Sequence, residues 1–439
     1  MASISHLVTG APARSSGTTP PPSFAARPGA QLDEEPLVNP PSKTVVLHDV
    51  DSRIPNLALL KLATFHRQQG WRVLLSRDRS SGRRAAMIDA DIHLASVVFR
   101  TPSSASAVEK LKAVYGDRIE FGGSGVDLAK RLSAEVEACF PDYRLYEHTL
   151  YALGFLTRGC NKKCAFCVVP EKEGRLKGLA ASFDDFVPKG QQNVLLLDDN
   201  LLAYREVESL LDEMIARRYA INFSQTLDIA YLNEAKFNLL RQIDSRNSKF
   251  SKRMIYFSLN HARDIRQFER RAEMLKGFGE HGVCVVMLYG FDTRLSEDNE
   301  RFRFIRRQRY LPFFQEYWPI EGVPSRLPED YFDIDLNAVI RLTFHSNGYN
   351  WEKYLLWLNS LYFQRYGRFY TPLVEILYRY NHKHRLEWFR MNPGLLSNEL
   401  YQDQRDSLAD FHHRLRQDNG LPAPRGLLKW IELAAAGTA

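Results

Sequence analysis

The sequence predicts an α/β protein. Three observations predict it: short apolar runs alternate with helical patterns through most of the chain, glycines and prolines punctuate the alternation, and no apolar run is long enough to span a bilayer. The chain has 439 residues, of which 44% are hydrophobic and 25% charged. That length suggests two or three domains, and the composition is that of a globular protein rather than a fibrous or disulfide-rich one.

Residues 1–42 read as a disordered leader. Pro20, Pro21, Pro22, Pro40 and Pro41 discourage regular structure, and the segment has little to bury. No acid precedes Asp33, so an organelle transit peptide competes with a plain tail. A first domain is expected over 43–140. Its strands are predicted at Thr44–Leu47, Trp71–Leu75, within Ala90–Phe99 and at Arg118–Phe121, the last running into Gly122-Gly123-Ser124-Gly125. Helices are predicted after Pro55, taken as a first-turn proline, as far as Gly70, and over Ala105–Val114. Strands separated by helices imply βαβ units on a parallel sheet, a Rossmann-like arrangement.

A second domain is expected over 141–330. Strands are predicted at Gly154–Thr157, Asn193–Asp198, Asn222–Ser224, Met254–Leu259, Val283–Tyr289 and Leu311–Phe314, with helices such as Glu206–Arg218 and Glu269–Phe278 between them. Six such units predict a partial (β/α)6 barrel, whose active site belongs at the C-terminal ends of the strands. Residues 331–439 are aromatic-rich, with helical patterns at Trp351–Tyr366 and Tyr370–Tyr380, and read as a helical C-terminal region.

The five cysteines are Cys139, Cys160, Cys164, Cys167 and Cys284. Three fall within eight residues, which points to metal or catalysis in a reducing cytoplasm, not to disulfides. Thiolates favour iron–sulfur clusters and zinc. The C-x3-C-x2-C spacing offers three ligands, whereas a four-iron cluster normally takes four. One coordination position would stay open, as a catalytic metal site requires. Zinc with His148 or another histidine as fourth ligand is the competing reading, but zinc sites usually show a second C-x2-C pair, and none follows here.

Cys160-Asn161-Lys162-Lys163-Cys164-Ala165-Phe166-Cys167 resembles the signature of the radical S-adenosylmethionine (AdoMet) superfamily. Its location after the first barrel strand and the aromatic Phe166 before the third cysteine belong to the same likeness. Thr157-Arg158-Gly159-Cys160 through Pro170 resembles the branch holding methylthiotransferases and cobalamin-domain enzymes. Roughly 44–320 looks like a group of uncharacterised bacterial and phage radical AdoMet proteins, through Pro55-Asn56-Leu57, Pro141-Asp142-Tyr143, Glu171-Lys172-Glu173-Gly174, Asp198-Asp199-Asn200 and Gln225-Thr226-Leu227-Asp228. The resemblance implies a 4Fe–4S cluster on Cys160, Cys164 and Cys167. It also implies reductive cleavage of AdoMet to a 5'-deoxyadenosyl radical that abstracts hydrogen from a substrate the sequence does not reveal. The cofactor then supplies the difficult chemistry, and the protein supplies orientation and exclusion of water.

Further site residues follow from the resemblance. Asp198 and Asp199 stand where the family holds the methionyl amino group, although the usual Gly-Gly-Glu is absent and helix N-capping explains them as well. Ser224 and Gln225 end a strand that contacts AdoMet or substrate in related enzymes, and Asp228 is the alternative partner of a salt bridge. Gly290 resembles the family's glycine beside the adenine, with a turn as the plainer reading. The first domain resembles cobalamin-binding domains through Gly122-Gly123, but Asp-x-His-x-x-Gly is absent and neither His48 nor His93 fits it. Cobalamin stays open on these grounds. A cobalamin-dependent methyltransferase and a non-catalytic iron–sulfur redox protein are therefore the alternatives. Methylthiotransfer would need a second cluster on three N-terminal cysteines, and only Cys139 stands there.

The net charge of +7 is compatible with nucleic acid without establishing it. The arginine run Arg301, Arg303, Arg306, Arg307 and Arg309 reads as the solvated face of a helix, with a phosphate grip as the sharper alternative. An electron donor such as a flavodoxin or ferredoxin is the expected partner, and no membrane is expected.

Overall fold

The structure is a computed structural model and describes residues 43–77, 88–147, 149–319, 323–344, 348–366 and 370. The leader, His148 and the predicted helix beyond Tyr370 lie outside the described residues. Two compact units emerge: one comprises the residues up to Ser258 with Arg270–Val283 and Trp318–Ser325, and the other Leu259–Glu269, Cys284–Tyr317 and the residues from Arg326 onward.

In the first unit, β1 (Thr44–Asp49), β2 (Arg72–Ser76), β3 (Ile92–Ser96) and β4 (Ile119–Gly122) form a parallel sheet in the order β2-β1-β3-β4. Helix α1 (Leu57–Gln68) starts after Asn56, whose side chain accepts the Leu59 N–H at 3.2 Å. Pro55 therefore lies just outside the helix, not in its first turn. Helix α2 (Pro102–Tyr115) is capped by Thr101, whose hydroxyl accepts the Ser104 N–H at 3.1 Å, with Pro102 at the first helical position.

The same unit holds a second parallel sheet in the order β5 (Ala152–Gly154), β6 (Asn193–Leu196), β7 (Ala220–Phe223) and β8 (Asp244–Ser245). The strand β9 (Ile255–Ser258) follows, and Phe257 bridges in parallel to Leu227. The two sheets share a core in which Val45, Leu47, Leu59 and Leu60 pack with Leu145, Tyr146, Leu153 and Leu195. Burial of such side chains contributes about 1.5–3 kcal/mol each.

Strand β5 ends three residues before the predicted Gly154–Thr157 does. The Phe186 ring presses on Gly154, where an added Cβ would lie 2.4 Å from the ring. Thr157 instead bridges antiparallel to Leu179. The predicted helix Glu269–Phe278 is two short helices, Ile265–Glu269 and Ala272–Lys276. They part at Arg271, whose guanidinium donates to the Leu232 and Ala230 carbonyls at 2.7 and 3.0 Å.

In the second unit, the part of β10 (Val283–Tyr289) from Cys284 pairs in parallel with β11 (Leu311–Glu316). All seven residues of β10 are buried, as expected of a parallel strand covered on both faces. Helices Leu295–Arg307, Leu336–Phe344 and Trp351–Tyr366 complete it. Among the described residues, no helix is long and apolar enough to cross a membrane.

Candidate active site around the cysteine loop

The cysteine loop begins at Cys160, four residues after Leu156, and is tied at its neck. The Cys160 N–H donates to the Gly174 carbonyl at 3.1 Å, so the chain enters and leaves at one point. Gly159 makes this neck close. Its φ is +91°, and an added Cβ would sit 2.8 Å from the Arg175 and Gly174 carbonyls.

The segment Asp198-Asp199-Asn200, following β6, holds that neck. Asp198 is buried and accepts the Leu156 N–H at 3.1 Å, the Thr157 N–H at 2.6 Å and the Thr157 hydroxyl at 2.7 Å. Asp199 accepts the Gly159 N–H at 3.0 Å. Asn200 donates through Nδ2 to Cys160 Sγ at 3.4 Å, while its buried Oδ1 has no hydrogen-bond partner among the described residues. Three consecutive side chains thus grip Leu156, Thr157, Gly159 and Cys160. Burial raises the Asp198 carboxyl to about 6 despite its three donors, and burial raises Asp199 as well.

Cys160 is buried, whereas Cys164 and Cys167 are half-buried. The Lys162 and Val169 N–H groups donate to Cys160 Sγ and Cys167 Sγ, each at 3.4 Å, and the Cys167 N–H donates to the Cys164 carbonyl at 3.0 Å. Burial, helped by the neighbouring Cys167 thiol, pushes Cys164 up to about 11. Among the described residues, no group of three or more Cys, His, Asp or Glu side chains is drawn together closely enough to hold a single metal ion. A four-iron cluster makes a different demand. Each thiolate takes its own iron, so the three sulfurs belong at separate corners around the cluster. A half-buried loop with N–H donors on two of its sulfurs, and an amide on one of those two, suits that group.

Lys162 extends from the loop to Asp228, with Nζ 2.7 Å from Oδ2, so Asp228 takes the salt-bridging alternative. Ser224 spends its hydroxyl on the Leu196 carbonyl at 2.7 Å. Phe166 and Gln225 flank these groups in sequence. Thr226 adopts φ +69° while buried, an outlying conformation for a β-branched residue. Sequence reasoning missed both Asn200 and Thr226. The first was hidden by its acidic neighbours, and no composition or spacing signals the second.

The chain shares 21% identity over 198 residues with ribosomal protein uS12 methylthiotransferase RimO of Thermotoga petrophila, covering 43% of this chain and 41% of the relative. It shares 22% over 207 residues with a CDK5RAP1-like protein of Oryza sativa subsp. japonica, covering 45% and 33%. The likeness is a distant one to the radical AdoMet superfamily. The chain spans less than half the length of the curated relatives it matches. No family model matches it. A crystal structure of Streptococcus suis SuiB bound to S-adenosylmethionine aligns with 49% of the chain and 48% of its own, at 16% identity and a TM-score of 0.30, too slight a likeness to carry an argument.

The remaining expected residues lie elsewhere. Gly290, in the second unit, has its α-carbon against the Trp357 indole, 3.1 Å from where a Cβ would stand. Gly122-Gly123 serves packing: a Cβ on Gly123 would lie 2.3 Å from the Val97 carbonyl, and the Val97 N–H donates to the Gly122 carbonyl at 2.9 Å. His48 and His93 face each other at 3.1 Å inside the first sheet, and burial lowers His48 to about 4. Cys284 is fully buried in β10, as predicted.

The arginine run corrects the sequence reading at one residue. Arg303, Arg306, Arg307 and Arg309 are exposed. Arg301 is 0% exposed and donates to the Leu259, Asn260 and Leu288 carbonyls at 3.1, 2.8 and 2.9 Å. Its counter-ion is Asp298, which also accepts from the Thr293 hydroxyl at 2.6 Å and the Tyr331 hydroxyl at 2.7 Å. This one arginine turns inward, where strand-end carbonyls and a carboxylate take its two terminal nitrogens while its Nε has no hydrogen-bond partner among the described residues.

Proposed function

We propose that this chain is a radical AdoMet enzyme in which Cys160, Cys164 and Cys167 hold a 4Fe–4S cluster at one end of a partial (β/α)6 barrel. The observation that supports it is the neck: a buried Asp-Asp-Asn segment fixes the four residues leading into a three-thiol loop. Such a cluster supplies the electron that cleaves AdoMet to methionine and a 5'-deoxyadenosyl radical for hydrogen abstraction. The chain's own residues do the positioning. Asp198 and Asp199 hold the backbone, and Asn200 Nδ2 donates to Cys160. Asn200 Oδ1 is the open buried acceptor beside the loop, suited to an ammonium group such as the one AdoMet carries. Phe166, Ser224 and Gln225 stay in the proposed cofactor-binding set on the family resemblance alone.

The RimO relative's name states methylthiotransfer. For this chain that chemistry lacks a second set of three cysteines, since Cys139 and the fully buried Cys284 are what remains outside the loop. The cobalamin-dependent alternative draws no support from Gly123, which packs on the Val97 carbonyl. We assign the protein to the cytoplasm, with a flavodoxin or ferredoxin as donor, because the cluster chemistry needs a reducing compartment.

The test is anaerobic reconstitution with iron and sulfide, reduction with dithionite, addition of AdoMet and assay for 5'-deoxyadenosine, with Cys164→Ala as control. Product from the wild type alone is the expected result. A full cluster with no AdoMet cleavage would replace the enzyme with a redox protein. Zinc in the site with no cluster would overturn the proposal.

A further inference from the structure

The first unit contains a cavity of about 370 Å3 lined by its first sheet, by α1 and by the segment after β4. It opens at the C-terminal ends of β3 and β4, where parallel sheets take their ligands, and its far wall is formed by Phe155, Arg158, Lys172 and Glu173, the residues flanking the cysteine loop. Its volume lies at the lower end of the range for small-molecule pockets. Leu62, Leu94, Phe121, Val136 and Phe155 supply an apolar lining.

The charges in the lining do not balance. Lys61, Lys130, Arg131, Arg158 and Lys172 face three carboxylates, Glu120, Glu137 and Glu173, which leaves two positive charges over. The carboxylates are already taken. Glu137 pairs with Lys61 at 2.9 Å and Arg158 at 3.5 Å, Glu120 with Lys130 at 2.6 Å, and Glu173 with Arg158 at 3.5 Å. Among the described residues, Lys172 and Arg131 have no carboxylate in ion-pair contact. Lys172 Nζ donates to the Ser124 hydroxyl, and Arg131 donates to the Leu128, Lys130 and Lys172 carbonyls. Burial lowers the Lys172 ammonium, with Arg131 and Arg158 adding repulsion against the pull of Glu173 and Asp199. A half-buried cation without a counter-ion is a standing cost that a bound anion relieves.

We propose that this cavity binds a small organic anion, with its carboxylate or phosphate head at Lys172 and Arg131 and its apolar body against Phe121, Leu94 and Leu62. The site is separate from the cysteines and needs no cluster to form. It shares the segment 158–174 with them, so a ligand bound there is gripped by both ends of the cysteine loop.

Calorimetric titration of the full-length reconstituted protein tests it, with phenyl phosphate and phenylacetate as the anionic probes, and benzyl alcohol and inorganic phosphate as the controls that lack one half of the chemistry. At least one anionic probe is expected to bind ten-fold or more tightly than both controls, and which one does so identifies the head group. Lys172→Gln and, separately, the solvent-exposed Arg131→Gln are each expected to weaken it several-fold. No binding by either probe, equal binding by benzyl alcohol, or unchanged affinity in both variants would overturn the proposal. So would tight binding of hydroxocobalamin that neither probe competes with. AdoMet cleavage, assayed on the same preparation, reports on the cluster assignment independently.

Discussion

Two buried ionic centres hold strand-end backbone in this molecule, and they do so with opposite charge. At Asp198-Asp199 in the first unit, carboxylates accept backbone N–H groups and one hydroxyl, and among the described residues no cation is their hydrogen-bond partner. At Arg301 in the second unit, a guanidinium donates to three carbonyls and is neutralised by Asp298. The first centre is open. It leaves the Asn200 Oδ1 acceptor unused, three thiols at hand and a carboxyl raised to about 6. The second is close to complete, with Thr293, Tyr331 and Tyr354 all donating to Asp298. The open one keeps an unused acceptor beside the thiols, and the closed one spends its carboxylate on its own neighbours.

The closed centre should break most expensively. Arg301→Met leaves Asp298 charged and buried, at a cost of about 3–5 kcal/mol. Urea unfolding would show it, and wild-type stability would mean that Asp298 is not held as an ion. At the open centre, Gly159→Ala should cost about 1–3 kcal/mol and lower iron content, because both its φ and the Arg175 carbonyl forbid a Cβ. Gly174→Ala is the control: its φ is +77° but nothing lies within 4 Å, so it should lose less iron.

Asp198→Asn sharpens the contrast through pH. Asp198 takes its proton more readily in the folded state, so its contribution is full below its ordinary value of 3.8 and is lost as pH rises through about 6. His48 has the opposite sign. Its folded value of about 4 lies below the ordinary 6.5, so its contribution is present above 6.5 and is lost as pH falls through 4. The two slopes oppose each other between about 4 and 6. In Asp198→Asn, stability should therefore rise more steeply with pH across that window than in the wild type, and an unchanged profile would refute the raised carboxyl. The smallest effect belongs to Lys162→Ala, whose partly exposed pairing with Asp228 should be worth less than about 1 kcal/mol.

The sequence made the α/β class and most strands legible, because parallel strands buried on both faces are unbroken apolar runs. The prediction Val283–Tyr289 coincides with β10. Strand ends were less legible. The end of β5 is set by Phe186, more than thirty residues away in sequence, and no local pattern records that contact. The cysteines were readable from spacing alone, while their support was only half readable. Asp198 and Asp199 stood out as acids after a strand, yet their engagement with backbone N–H groups is a tertiary fact. Arg301 was hidden because burial of one arginine among five depends on which face of the helix carries Phe302, Phe304 and Ile305.

The closed neck between Cys160 and Gly174 has a wider consequence. A segment that begins and ends at one hydrogen bond transmits little of its internal length to the strands beside it. The cysteine loop is in that sense a cassette: residues can be gained or lost within it while β5 and β6 keep their register, so the cysteine-bearing part can change length without disturbing the scaffold that carries it.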